Sequence, residues 1–188
     1  TINNIGQITL PANGNGGTVK GLEFSGALDF GQFVDLMKGF GVQGSLSLTK
    51  SNLNPTTSTD PKQKVRIPGL SGTVYNVTGY YERGGFQARV SQRYRSAFKG
   101  EVVQLFATRG FTEILADKQV DAQIGYTFQE GPLENLGVLL QVNNLTNSPY
   151  RTRLGLDDGG TKTGDGGSLP ETYEKYGRQF LFGVNYRF

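Results

Sequence analysis

The last sixteen residues, "YEKYGRQFLFGVNYRF" (173–188), set Phe180, Phe182, Val184, Tyr186 and Phe188 at every second position. Between them stand Gln179, Gly183, Asn185 and Arg187, with only Leu181 out of step. Successive side chains of a strand point to opposite faces, so alternation at period two specifies a strand with one apolar and one polar face. Six more segments repeat the pattern: 18–30, 40–50, 74–82, 86–95, 120–129 and 136–144. In 120–129 the run is unbroken, with Val120, Ala122, Ile124, Tyr126 and Phe128 set against Asp121, Gln123, Gly125, Thr127 and Gln129. In 18–30, Val19 has the wrong parity for Leu22, Phe24, Leu28 and Phe30, which predicts a bulge near Gly21. The expected class is all-β and antiparallel.

An apolar face of this kind meets either a core or lipid. The connections favour lipid, because they alternate in length. The links at 31–39, 83–85 and 130–135 are short, whereas those at 51–73, 96–119 and 145–175 are long and polar. Short turns on one side and long loops on the other are the arrangement of an outer-membrane barrel. The polar face points the same way. It carries Gln, Asn, Ser, Thr, Gly and Arg in place of the Lys and Glu of a solvated sheet, and so suits a wet, crowded interior. Phe30, Phe40, Tyr81, Phe86, Tyr126, Phe128, Tyr186 and Phe188 gather near the short-turn ends, where one aromatic girdle is expected. The reading is a transmembrane β-barrel wall; its rival is a soluble β-sandwich with one wet face.

Composition narrows the chemistry. The 188 residues include neither Cys nor His, which removes disulfides, a thiolate nucleophile, a Ser-His-Asp triad and the commonest metal ligands. A net charge of +3 does not by itself imply nucleic acid. No apolar run approaches the roughly 20 residues of a membrane helix. The chain opens in a Gly/Asn-rich stretch, "NGNGG", that reads as the middle of a loop, so a longer protein is expected.

The segments "VKGLEFSG" (19–26), "YNVTGYYERGGFQARVSQRYRS" (75–96), "LQVNNLTN" (140–147) and "YGRQFLFGVNYRF" (176–188) together resemble the C-terminal part of a TonB-dependent outer-membrane receptor, along essentially the whole chain. The resemblance implies that residues 1–188 supply about the last seven strands of a 22-stranded barrel whose lumen holds an N-terminal plug. It also implies a place in the bacterial outer membrane and TonB-coupled uptake of a nutrient, with a carbohydrate favoured and a siderophore next. The plug and the TonB box that contacts TonB are absent from these residues. A passive porin without a plug would share the strand pattern. The implied partners are outer-membrane lipid, the rest of the barrel with its plug, TonB, the assembly machinery and a small-molecule ligand. Phe180, Phe182, Val184, Tyr186 and Phe188 resemble the C-terminal signal read by that machinery.

Candidate contacts for the ligand are Asn76, Tyr80, Arg89 and Arg93 on the wall, and Tyr150, Arg151, Arg153 and Asp157 in a long loop. Tyr offers a stacking surface for a sugar ring, while Arg, Asn and Asp hydrogen-bond hydroxyls. The lumen-facing arginines are expected to pair with carboxylates of a plug. In "RVSQRYRSAFK" (89–99), Arg93 and Arg95 face away from Tyr94, so no stacking platform for nucleic acid forms and none is expected as a partner. Asp157, Asp158 and Asp165 lack the spacing of a calcium loop, and neither a metal nor a cofactor is expected. "NLTN" (144–147) fits a glycosylation acceptor but falls at a strand end, which argues against that use. With no His, and with Glu23, Asp29, Glu82 and Asp121 scattered over different strands, an enzyme is not expected.

Overall fold

The computed structural model describes residues 16–53, 66–103, 109–154 and 170–188. Seven strands form one antiparallel sheet: β1 (Gly17–Asp29), β2 (Phe40–Leu53), β3 (Thr73–Arg83), β4 (Phe86–Arg95), β7 (Asp117–Thr127), β8 (Leu136–Asn143) and β11 (Gln179–Tyr186). They lie side by side in chain order, so each alternating segment pairs with the next alternating segment. The sheet is open, with β1 and β11 at its edges.

Four shorter strands make a second antiparallel sheet in the order β10-β9-β6-β5. These are β5 (Phe98–Val103), β6 (Arg109–Ile114), β9 (Tyr150–Leu154) and β10 (Pro170–Glu174). They occupy the connections 96–119 and 145–175, which the periodicity alone leaves as loops. The two connections are joined to each other through β6 and β9, where Glu113 stands opposite Arg153.

Register converts alternation into two continuous faces. On one, Phe40 stands opposite Tyr81, Tyr81 opposite Ala88, Ala88 opposite Ile124, Ile124 opposite Leu140 and Leu140 opposite Phe182. No described residue covers this face: Leu22, Phe24, Phe180 and Phe182 are 62, 59, 69 and 73% exposed. Among the described residues the one buried large apolar side chain is Phe98, in the second sheet. A soluble sandwich would bury the apolar face against another sheet, which the described strands do not do. Burying apolar area in hydrocarbon is what stabilises such a wall.

The aromatic girdle forms where the alternation places it. Phe40 and Tyr81 approach to 4.4 Å between ring centroids, Tyr81 and Phe86 to 5.9 Å, Tyr126 and Phe128 to 5.1 Å, and Tyr186 and Phe188 to 5.0 Å. Such offset and edge-on pairs are favourable beyond their buried area. A second aromatic pair, Tyr75 stacked on Tyr94 at 5.0 Å, marks the opposite end of the same face.

The expected bulge near Gly21 is absent, because β1 pairs with β2 without a shift from Gly17–Leu53 to Asp29–Gly41. Val19 simply takes the polar face, opposite Ser51, at the outer end of the strand. At the other end the turn between β3 and β4 is held by Gly84 and Gly85, at φ 58° and 79°. Positive φ at both central residues is the hairpin geometry that matches strand twist, and glycine adopts it without strain.

Glycine also has a packing role on the inner face. Tyr80 lies across Gly41, Gln87 across Gly125 and Asn185 across Gly137, each a directly opposed cross-strand pair. A Cβ on any of these glycines would run into the partner's side chain. The larger partner can therefore lie flat along the wall and leave the lumen side clear.

Candidate functional site

The inner face gathers the polar residues of β3, β4, β7 and β8. Asn76 stands opposite Arg93, and Tyr80 opposite Arg89, so the four wall candidates form two cross-strand pairs on one surface. Asn76 donates to the Ser45 hydroxyl at 3.1 Å, and Thr78 and Ser91 share a hydrogen bond of 2.7 Å.

The arginines find their carboxylates within the sheet itself. Arg89 pairs with Glu82, and the Arg93 guanidinium meets the Asp121 carboxylate at 3.2 Å and the Gln119 amide oxygen at 2.9 Å. The two arginines expected to meet carboxylates of a plug thus each have a carboxylate beside them in the wall as well. Glu82 and Asp121, which look scattered along the chain, reach the two arginines because register places them one strand or one step away. Both pairs remain partly exposed, so each is worth on the order of 1 kcal/mol or less. Their greater effect is to fix where the donors point.

Arg93 borders a cleft of about 540 Å³ between β4, β7, β8 and the approach to β11. Asp117, Gln119 and Asp121 enter it from β7, Gln141 and Asn143 from β8, Tyr150 from the start of β9 and Tyr176 from the link between β10 and β11. Gln141 donates to the Asn143 amide oxygen at 2.8 Å, which orients both side chains. The Tyr176 hydroxyl donates to Glu174, and that bond raises the pKa of the phenol above its ordinary value. A smaller polar recess of about 250 Å³ around Arg89, Ser91 and Gln123 shares Asp121 and Gln141 with the cleft. The two form one continuous polar track along the wall.

The "NNLTN" stretch closes the site from the side. Asn144 adopts φ 53°, a left-handed conformation that Asn tolerates better than most residues. Its amide nitrogen donates to the carbonyls of Ser148 at 3.2 Å and Gly177 at 3.1 Å, while its oxygen accepts the Ser148 N–H at 2.7 Å. The side-chain nitrogen that a glycan would need is thus already committed. The Asn144 backbone N–H meets Asp121, and Leu145 donates its N–H to Val120 at 2.7 Å and accepts from Arg178 at 2.7 Å. One turn therefore connects β7, β8 and the entry to β11.

Of the loop candidates, Tyr150 reaches the cleft. Arg153 instead clamps Glu113 at 2.6 Å across β9 and β6, and Arg151 follows on the same strand, opposite Tyr173 of β10. Asp157 lies outside the described residues, as do Asp158 and Asp165. Asp117, Gln119, Asp121, Gln141, Asn143 and Tyr176 were not among the candidates. Their signal is present, since 117, 119 and 121 share one strand face and 141 and 143 another. Arg95 turns away from any ligand path: it bonds Ser71 and the Gly69 carbonyl, each at 2.6 Å, and covers the Phe98 ring at 3.7 Å. The C-terminal set Phe180, Phe182, Val184, Tyr186 and Phe188 stands exposed at the outer edge of the sheet.

A family model described as "TonB dependent receptor-like, beta-barrel" matches residues 1–145. No curated protein and no solved structure matches the chain.

Proposed function

The chain belongs to the TonB-dependent receptor-like β-barrel family, and from that premise we propose that its inner wall binds a carbohydrate during uptake through the outer membrane. Membership makes it an outer-membrane protein with lipid against its apolar face, and it implies the family's general partnership with a plug and with TonB. The edges of the sheet support the larger assembly. In lipid every backbone N–H and C=O must be paired, and the outer edges of β1 and β11 offer unpaired rows. Further strands satisfy them, so these seven are part of a larger ring, 22 strands in the architecture the resemblance implies.

The observation that carries the substrate reading is the lining of the cleft. Two tyrosine rings, five side-chain amides, one guanidinium and two carboxylates converge on about 540 Å³. A neutral polyol offers both a donor and an acceptor at each hydroxyl, and so satisfies such a mixed lining. An anionic ligand would meet Asp117 and Asp121. The test is calorimetry on the intact receptor with neutral oligosaccharides and, separately, ferric siderophores. Tyr150→Ala is expected to raise the oligosaccharide Kd about tenfold through lost stacking, and Gln119→Ala to raise it further. Unchanged affinity in both variants, or tighter binding of siderophores than of any oligosaccharide, overturns the reading. Uptake that continues without TonB would favour the passive channel.

A further inference from the structure

The charges of the seven-stranded sheet are sorted by face. Glu23, Asp29, Glu82, Asp117 and Asp121 all have inner-face parity, and among the described residues of these strands the lipid-side face carries no carboxylate. That face does carry cations. Lys20 and Lys50 stand directly opposite each other on β1 and β2, and Lys118 lies next to Tyr94 on β7. All three are exposed, and among the described residues none has an ion-pair or hydrogen-bond partner.

Their height is set by the aromatic girdle. Lys20 lies ten residues from Phe30, Lys50 ten from Phe40 and Lys118 ten from Phe128. At roughly 3.4 Å per residue and a strand tilt of roughly 40°, this is about 26 Å along the membrane normal, the height of an apolar band. The girdle marks the short-turn side, so the lysines sit where the hydrocarbon of the outer leaflet gives way to headgroups. Like charges directly opposed across two strands are destabilising unless an anion lies between them.

We infer that Lys20, Lys50 and Lys118 form a belt that binds the phosphate-bearing headgroups of outer-leaflet lipid. The occupant follows from charge and position together. The lysines continue a lipid-facing surface, they stand at headgroup level, and among the described residues no acidic side chain stands beside them on that face. The inference rests on family membership and not on the identity of the transported ligand. Lysine suits this place, because its methylenes cover apolar surface while the ammonium reaches the interface.

The test uses the intact receptor, with bound lipid read by native mass spectrometry from phosphatidylcholine micelles doped with diphosphorylated lipid A. Wild type is expected to retain lipid A, and K20Q/K50Q to retain about 25-fold less, at about fivefold per lysine near a charged surface. K20R/K50R is expected to retain it, which separates charge from a folding defect. Inorganic phosphate at the same phosphate concentration is expected not to displace lipid A. Equal retention by wild type and K20Q/K50Q overturns the inference. So does displacement by inorganic phosphate, which would mark a site for a free anion.

Discussion

Asn144 donates its backbone N–H to Asp121 across 2.9 Å, and through that one carboxylate the "NNLTN" turn is tied to the cleft. The second oxygen of Asp121 faces Arg93. A single side chain therefore holds both the end of β8 and the donor that borders the cleft.

Asp121→Asn separates these two duties. The amide oxygen can still accept from Asn144, but the charge facing Arg93 is gone. Ligand Kd is expected to rise about fivefold, in keeping with a partly exposed ion pair, while the heat-dependent gel shift of the folded barrel is retained. Asp121→Ala removes both contacts and is expected to lower folded yield as well. Equal yields for the two variants would show that the Asn144 bond contributes little to folding.

Asn144→Ala removes three side-chain hydrogen bonds and forces alanine into a left-handed backbone. The expected loss is about 2 to 3 kcal/mol, measured as a lower urea midpoint for the barrel in lipid vesicles. Asn144→Gly relieves the backbone but not the lost bonds, and should fall between alanine and wild type. If glycine matches wild type, backbone conformation is the sole requirement at this position.

Glu113→Gln weakens the clamp that Arg153 makes across β6 and β9. Amide exchange in β6 and β9 is expected to quicken several-fold while β7 and β8 stay protected. The pair is partly exposed, so a loss of about 1 kcal/mol or less is expected. Faster exchange throughout the seven-stranded sheet would show that the two sheets open as one unit.

Deleting Phe188 together with Tyr186→Ala removes an edge-on ring pair and the end of the stretch that resembles a C-terminal assembly signal. Recognition by strand addition uses backbone hydrogen bonds for affinity and alternate side chains for specificity. Surface levels in cells are expected to drop, with ligand affinity unchanged in molecules that insert. Normal surface levels would make this stretch ordinary wall.

The seven wall strands are legible in the sequence because each lies between lipid and water, and that boundary imposes period two. The four strands of the second sheet carry no such pattern. "FKGEVV", "RGFTEI", "YRTRL" and "PETYE" are only five or six residues long, too short for a period to stand out from its surroundings. The pairing of Glu113 with Arg153 also joins positions far apart in the chain, which no local periodicity reports. Val19 misleads for a related reason. It lies one residue beyond Lys20, at headgroup level, where parity no longer decides what a side chain meets. The cleft is half legible: the polar parity of β7 and β8 can be read directly. The convergence of Asp121 on both Arg93 and Asn144 depends on register and on one left-handed residue.

The join between β6 and β9 has a consequence for anyone redirecting this receptor to a new cargo. Residues 96–119 and 145–175 hold strands of a common sheet. Grafting one of them from a relative would leave its partner with an unmatched edge. These two stretches form a single cassette split by the β7–β8 hairpin, and a graft that keeps the sheet intact must carry both halves from the same donor.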